Sequence, residues 1–295
     1  MTTNSPPSAL PSGWMTIDFG AHLQHRVGAL MSARAGGVSR APYAHCNLGD
    51  HVNDEPQAVV RNREVFGAHL QSRPVWLTQV HGNRVIRLTH GLPVGDVFNP
   101  ADHPGGDSPV QPQADGAITT EPGLACTVMV ADCLPVLLAA PDGRGVAALH
   151  AGWRGLAGAG GMAGRGIVHS GIEALCEAAS CDPHELQAWL GPCIGARHFE
   201  VGPDVLIGFG VDPGGATTPA RFTRCHQGQL ALPDGSAEAK WLADLPGLAG
   251  DILLRCGVHQ VSGGTWCTTS DRSRFFSFRR DSITGRQAAG ICLRG

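Results

Sequence analysis

The chain is expected to be an α+β protein, a single domain of mixed β-sheets with flanking helices. Three observations carry that expectation. Short apolar runs dominate, each bounded by Gly, Pro or Asp, which is the pattern of many strands and few helices. The 41 glycines and 21 prolines among 295 residues make a turn-rich chain, yet at about a fifth of it they fall below the roughly 25–30% of disordered compositions. No polar linker divides the chain, and 42% hydrophobic residues are enough for one sizeable core.

The elements follow in order. Residues 1–14 are polar and Pro/Ser-rich, without the basic and apolar regions of a secretory leader, and read as a disordered lead-in to a catalytic domain over 15–295. Residues 27–34 and 75–80 read as strands. The turn His81-Gly82-Asn83 leads into a strand over 84–88 with half-buried alternation. Residues 91–113 have no periodicity and form a long loop. A strand over 125–130 is broken by Ala131-Asp132-Cys133; strands over 134–140 and 146–150 then make a hairpin across the turn 141–145. Counting outward from that turn places Cys133 and His150 toward the same open end, although Pro135 leaves the register open. A helix is expected near 165–179, where Ile167, Ile172, Leu175 and Cys176 share a face. Residues 186–190 read as a strand ending at Gly191-Pro192-Cys193-Ile194-Gly195. A second helix is expected over about 238–256, with Leu242, Leu245, Leu248, Ile252 and Leu253 inward and Pro246 kinking or splitting it. Late strands are expected over 258–262 and 275–278.

Composition excludes several chemistries. Of 22 basic residues only Lys240 is lysine, so lysine catalysis and the phosphate-binding loop G-x-x-x-x-G-K-[ST] are excluded. A net charge of -3 and a pI near 6.5 leave no broad footprint for nucleic acid or an anionic membrane, so the expected partner is a small molecule. No apolar stretch approaches the roughly 18 residues of a membrane span, and the expected location is the cytoplasm. There, ten cysteines are free thiols or metal ligands rather than disulfides, and no C-x-x-C pair occurs. Gly158-Ala159-Gly160-Gly161-Met162-Ala163 imitates a dinucleotide fingerprint but begins eight residues after the strand end at His150, too late for the strand-to-helix turn. Gly191 to Gly195 imitates a nucleophile elbow with cysteine, but no helix pattern follows it, and a structural turn is the better reading.

Three segments carry chemistry: Thr78-Gln79-Val80-His81-Gly82-Asn83, Ala131-Asp132-Cys133-Leu134-Pro135-Val136, and Ala148-Leu149-His150-Ala151-Gly152-Trp153-Arg154-Gly155. Each places a soft or borderline ligand where a strand gives way to a turn. One thiolate and two imidazoles suit Zn²⁺ and leave a fourth tetrahedral position for water or substrate. Taken singly, each residue also has an ordinary reading, a small core cysteine or a satisfied histidine.

These segments resemble the signature blocks of a family known first as laccase-like multicopper polyphenol oxidases and later as purine nucleoside phosphorylases with adenosine deaminase activity. The resemblance extends through Ala35-Gly36-Gly37-Val38-Ser39, Cys46-Asn47-Leu48-Gly49-Asp50-His51-Val52, Trp189-Leu190-Gly191-Pro192 and Phe199-Glu200-Val201-Gly202. It continues in Phe275-Phe276-Ser277-Phe278-Arg279-Arg280 and Thr284-Gly285-Arg286, covering roughly residues 28 to 293. It implies that His81, Cys133 and His150 bind a catalytic zinc ion. The chain departs from the family pattern in the loop 99–113, in the Gly-rich stretch after His150, and at Cys193, where the family often has alanine.

The resemblance also implies phosphorolysis of adenosine, inosine and methylthioadenosine, giving ribose 1-phosphate or its analogue and free purine. Arginine suits the bidentate contact to phosphate; Arg40, Arg63 and Arg154 are the candidates. Deamination would use zinc to activate water, with a carboxylate moving protons; Asp132 is a candidate, with turn capping as its other reading. Alternatives are a hydrolase that removes misincorporated serine from muropeptide precursors, a Cu²⁺-dependent polyphenol oxidase, and a non-catalytic zinc protein. The chain has no H-x-H pair of the kind a multicopper site uses, and its blocks offer no fourth ligand for a closed structural site. Oligomeric state is not legible.

Overall fold

The apolar runs become strands of three sheets in a computed structural model that describes residues 9–91, 111–215, 219–225 and 239–295. A five-stranded sheet runs in the order β1 (Met15–Thr16), β2 (Val27–Met31), β14 (Gln287–Leu293), β6 (Leu124–Val130), β3 (Arg73–Val75). A six-stranded sheet runs β13 (Gln260–Gly263), β9 (Gln187–Leu190), β7 (Leu134–Ala139), β8 (Val146–Ala151), β5 (Gly116–Thr119), β4 (Val85–Leu88). A small third sheet orders β10 (Glu200–Val201), β12 (Trp241–Ala243) and β11 (Phe222–Arg224). Both large sheets are mixed: β3–β6, β4–β5 and β13–β9 pair in parallel and their other pairs are antiparallel.

The two large sheets share a core, in which Met31, Val128 and Ile291 of the first meet Leu137 and Ala148 of the second. Helix α1 (Pro56–Leu70) covers the outer face of the first sheet through Phe66 and Leu70. Helices α2 (Trp153–Ala157), α3 (Ile167–Ala179), α4 (Pro203–Gly208) and α5 (Leu245–Arg255) contribute to the core on the outer face of the second. With both faces covered, β7 and β8 are buried along their whole length, which is why they read as continuous apolar runs rather than as alternation. The mixed α+β expectation is met. No helix among the described residues is long and apolar enough to cross a membrane, and all ten cysteines are free.

The central hairpin has the expected ends. Leu134 pairs with Ala151 and Pro135 with His150, so Cys133 and His150 emerge at the same end of two central strands. Elsewhere the structure corrects the reading. The strand expected over 75–80 lies earlier, at β3, and residues 76–80 run irregularly beside β6. The helix expected over 238–256 divides: residues 241–243 are a strand, and α5 starts only after Asp244, whose carboxylate caps it by accepting the Gly247 N–H at 3.1 Å. Pro246 falls in the first turn of α5, where its missing N–H leaves nothing unpaired. Residues 275–278 are not a strand: Phe275 and Phe276 are buried in irregular backbone, and Ser277 caps a short helix α6 (Phe278–Asp281). The strand expected over 258–262 is shifted to β13.

Helices α1 and α4 and strands β1, β5, β10, β11 and β14 are among the elements that were not anticipated. Asn62 and Arg63 lie among the buried residues of α1 and blur its apolar stripe. Residues 1–8 and 92–110 lie outside the described residues, as does residue 238. Trp14, read as part of the lead-in, is buried, and its indole N–H donates to the Ala35 carbonyl at 2.8 Å.

Candidate metal centre

His81, Cys133 and His150 come together from three segments, and their ligand atoms all lie within 4.8 Å of one another. His150 sits near the end of β8, Cys133 on the turn entering β7, and His81 on the turn after the irregular segment 76–80. The Gln79 side chain pairs that segment with β6, donating to the Met129 carbonyl at 2.8 Å and accepting the Met129 N–H at 2.7 Å. On its other side the segment is held by an isolated parallel bridge between Thr78 and Gln113, so one side chain and one backbone bridge fix 76–80 without a continuous ladder. His81 and Asp132 hold left-handed backbone, at φ of 60° and 92°, which residues with a side chain seldom adopt. Such conformations persist where the surroundings over-determine them.

For His81 the surrounding constraint is Asp115, a fully buried carboxylate just before β5. One oxygen accepts the His81 N–H at 2.8 Å and faces His150 Nδ1 at 2.8 Å; the other accepts the Gly82 and Val80 N–H groups at 2.7 and 3.2 Å. A single carboxylate therefore fixes the turn carrying one ligand and the ring of another. Bonding at Nδ1 leaves His150 Nε2 free for a cation, the usual arrangement of a metal-binding histidine. Burial alone would raise the Asp115 carboxyl; His150 and the backbone N–H groups outweigh it and hold it below the ordinary range.

Burial likewise pushes the Cys133 thiol up, but His150 and His81 bring it down to about 6, favouring the thiolate in which cysteine binds metals. For His150 burial works downward, and Cys133 and Asp115 together push the imidazole up to about 9.

One edge of the group already has the length a tetrahedral ion requires. Cys133 Sγ and His81 Nε2 are 3.6 Å apart, and bonds of the usual zinc–sulfur and zinc–nitrogen lengths at tetrahedral angles give an edge of about 3.5 Å. Gly152 packs directly against two of these side chains. A Cβ at this position would lie 2.6 Å from His81 Cδ2 and 3.1 Å from Cys133 Sγ. Gly152→Ala is expected to weaken metal binding about 5–150-fold, by the overpacking cost of ~1–3 kcal/mol, and competition with a chromogenic chelator will measure it.

The three ligand residues line a cavity of about 830 Å³, and Asp50, Gln79, Phe278 and Arg286 also contribute to its wall. Asp50 is held by the buried guanidinium of Arg63 at 3.2 Å. Burial would raise the Asp50 carboxyl, but hydrogen bonding with His51 and the charge of Arg63 hold it well below the usual carboxylate range. Arg63 itself donates to the Leu48 carbonyl and stacks over Trp76. It supports the wall from behind and is not among the cavity-lining residues. Arg40 is exposed outside this lining. Arg154 is exposed too, its guanidinium 4.5 Å from the Trp153 ring centre, and it is likewise outside the lining. The arginine that does line the cavity is Arg286. It is anchored by bonds to the Thr284 and Gly285 carbonyls at 3.1 and 3.2 Å.

Asp132, next to a ligand, is engaged on both oxygens: it accepts the Thr268 hydroxyl at 2.5 Å and the Arg279 N–H at 2.6 Å. It lines a smaller apolar pocket of about 150 Å³ behind Cys133, with Trp153, Ile194, Phe199 and Leu245. Those bonds match the capping reading of Asp132. Asp115 and Arg286 escaped the sequence reading as site residues. Asp115 precedes a short strand with no motif to mark it, whereas Arg286 stood in a resembling block and lacked only a visible connection to the ligands.

Residues 28–294 match a family profile described as multi-copper polyphenol oxidoreductase laccase. The chain is 38% identical over 283 residues to a purine nucleoside phosphorylase of Pseudomonas aeruginosa, an alignment covering 96% of this chain and 99% of that one. It is 40% identical over 270 residues to the purine nucleoside phosphorylase YfiH of Escherichia coli, covering 90% and 94%. Among solved structures, a Neisseria meningitidis protein is similar with a TM-score of 0.73 at 39% identity, over 96% of this chain and 100% of that one. YlmD from Geobacillus stearothermophilus is similar with a TM-score of 0.74 at 28% identity, over 94% of each chain.

Proposed function

The chain belongs to the family described as multi-copper polyphenol oxidoreductase laccase, and from its similarity to relatives named purine nucleoside phosphorylases we propose that it is a zinc-dependent purine nucleoside phosphorylase. Adenosine, inosine and methylthioadenosine are the proposed nucleosides, phosphate the co-substrate, and adenosine deamination a second reaction of the same site. The observation that carries the proposal is the His81–Cys133–His150 group in a cavity of about 830 Å³ that also receives an arginine. That volume lies within the range of small-molecule sites.

Zinc, when bound, supplies a Lewis-acidic positive charge beside the reacting groups. The chain's residues do the rest. His81, Cys133 and His150 would hold the ion, and Asp115, facing His150 Nδ1, would keep that ring's proton away from the metal side. In phosphorolysis the bond between C1′ and the purine nitrogen breaks with its electron pair leaving on the base, and a phosphate oxygen bonds C1′. Arg286 is the proposed phosphate contact in place of Arg40, Arg63 and Arg154, because its fixed charge lies in the cavity wall. Phe278, 56% exposed at the cavity, offers the purine an aromatic face.

One thiolate and two imidazoles form a borderline donor set that suits zinc and leaves a fourth position open. A multicopper oxidation is less well supported: among the described residues a single group of His, Cys and carboxylate ligands is found, and the chain has no H-x-H pair. The deciding experiment measures metal content and then incubates the protein with adenosine or inosine, with and without phosphate. Base release that depends on phosphate and yields ribose 1-phosphate is the expected result; inosine formed from adenosine without phosphate reports deamination. Inert nucleosides, together with serine release from a muropeptide precursor, would overturn the proposal in favour of an editing hydrolase.

Arg286→Ala is expected to raise the KM for phosphate roughly 10–100-fold, the loss of about 1.5–3 kcal/mol from a charged hydrogen bond, while metal content stays unchanged. An unchanged phosphate KM would remove Arg286 from this role.

A further inference from the structure

A second thiol cluster lies behind the metal-bearing turn. Cys193 and Cys267 are partners in an isolated parallel β-bridge, and the Thr268 N–H donates to the Cys193 carbonyl at 2.9 Å. Bridged neighbours stand about 4.8 Å apart with side chains on the same face, within the Cα range over which a disulfide closes. Cys267 is half-buried, and its sulfur accepts the Gly195 N–H at 3.2 Å and lies 3.6 Å from His198 Nδ1. The backbone can come this close only because residue 195 is glycine: a Cβ there would lie 3.0 Å from Cys267 Cβ and 3.1 Å from its sulfur. Cys193, by contrast, is fully buried.

We propose that Cys267 is a peroxide-reactive thiol and that Cys193 is its resolving partner, the two closing to a disulfide beside the metal centre. In the first step the Cys267 thiolate attacks one oxygen of hydrogen peroxide; the O–O bond breaks, Cys267 becomes a sulfenic acid, and the departing hydroxide takes up a proton as water. In the second step the Cys193 sulfur attacks Cys267 Sγ, the S–O bond breaks, and hydroxide leaves with the Cys193 proton as water. Two thiols and one peroxide thus give one disulfide and two waters.

The electrostatics agree with the order of events. Burial raises the Cys267 thiol, but bonds from Ser270, Gly195 and Thr269 outweigh it and hold it below the ordinary value. Burial pushes Cys193 well up, so it is protonated when peroxide arrives and reacts only with an already oxidised neighbour. Cys176 and Cys181 are a built-in control. They too interact with each other, yet burial raises both thiols. Both bridge segments are also tied to the turn before Cys133, since the Asp132 carbonyl accepts the Ile194 N–H at 2.9 Å and its carboxylate accepts the Thr268 hydroxyl at 2.5 Å.

The test treats the metal-loaded protein with one to ten equivalents of hydrogen peroxide, blocks the remaining thiols and maps peptides by mass. The expected product is a Cys193–Cys267 linked peptide, reversed by dithiothreitol. In Cys193→Ala, dimedone should instead label Cys267 as the sulfenic acid. Should that variant fail to fold, brief iodoacetamide labelling of the wild type decides: Cys267 should react at least about tenfold faster than Cys176 or Cys181. Oxidation appearing first at Cys176 and Cys181, or a Cys267 that is neither linked to Cys193 nor the fastest of these three, would overturn the proposal.

Discussion

Replacing Cys133 with alanine is expected to reduce bound metal from about one ion per chain to near zero and phosphorolysis by at least ~100-fold, because two imidazoles alone do not hold a divalent cation at ordinary free-metal levels. The fold should survive. Cys133 is half-buried on a turn at the end of a central strand, and the hairpin beside it is held by the β7–β8 ladder and by the bond from Gly191 N–H to the Pro135 carbonyl at 2.9 Å. Metal analysis, phosphorolysis and circular dichroism on one preparation separate the outcomes. Full turnover in a folded variant without metal would remove the centre from the mechanism. A serine replacement should lose metal almost as completely, since a neutral hydroxyl is a poor substitute for a thiolate.

Asp115→Asn is expected to have the second-largest effect, and on two quantities at once. The carboxylate accepts three backbone N–H groups and faces His150, and an amide cannot replace it, because its NH₂ would meet a donor where an oxygen now accepts. Metal affinity should fall about 10–100-fold through the loosened His150 and His81. Stability should fall by about 3–5 kcal/mol, the cost of breaking a buried charged pair, read from urea unfolding. The pH dependence has a definite sign. The folded carboxyl lies below its ordinary value, so its stabilisation is present above pH ~4 and is lost as the pH falls through the depressed folded value. The wild type should therefore lose stability on acidification below pH ~4, and the asparagine variant should lose less over the same interval. Equal acid slopes for the two proteins would contradict this account of Asp115.

Much of the strand content was legible because β6, β7 and β8 are short apolar runs bounded by turn residues, a local signal. The hairpin between 134 and 151 was readable for the same reason, and with it the shared open end of Cys133 and His150. Residues whose local pattern contradicts their tertiary place were missed. Helix α1 places Asn62 and Arg63 in the interior, where Ser39, the Asn47 carbonyl and Asp50 satisfy them, partners 13 to 23 residues away in sequence. Residues 241–243 look like the start of a helix, but their N–H and C=O groups are taken by β10 and β11.

The substrate arginines show the same division. Arg154 follows a ligand by four positions and yet points to the surface, whereas Arg286, far away in sequence, lines the cavity. Proximity along the chain says little about direction, which is set by the element carrying the side chain.

By itself the sequence determined the kinds of residue available: one lysine, no paired histidines, and three strand-end segments each with one soft or borderline ligand. Those are consequences of composition and of short-range pattern, both complete before the chain folds. The tertiary structure decided which groups meet. It brought Asp115 under two ligands, packed Gly152 against His81 and Cys133, moved Arg286 into the cavity and set Cys193 beside Cys267. Each depends on sheet register and layer packing between residues distant in sequence, and such contacts leave no periodic trace in either segment alone.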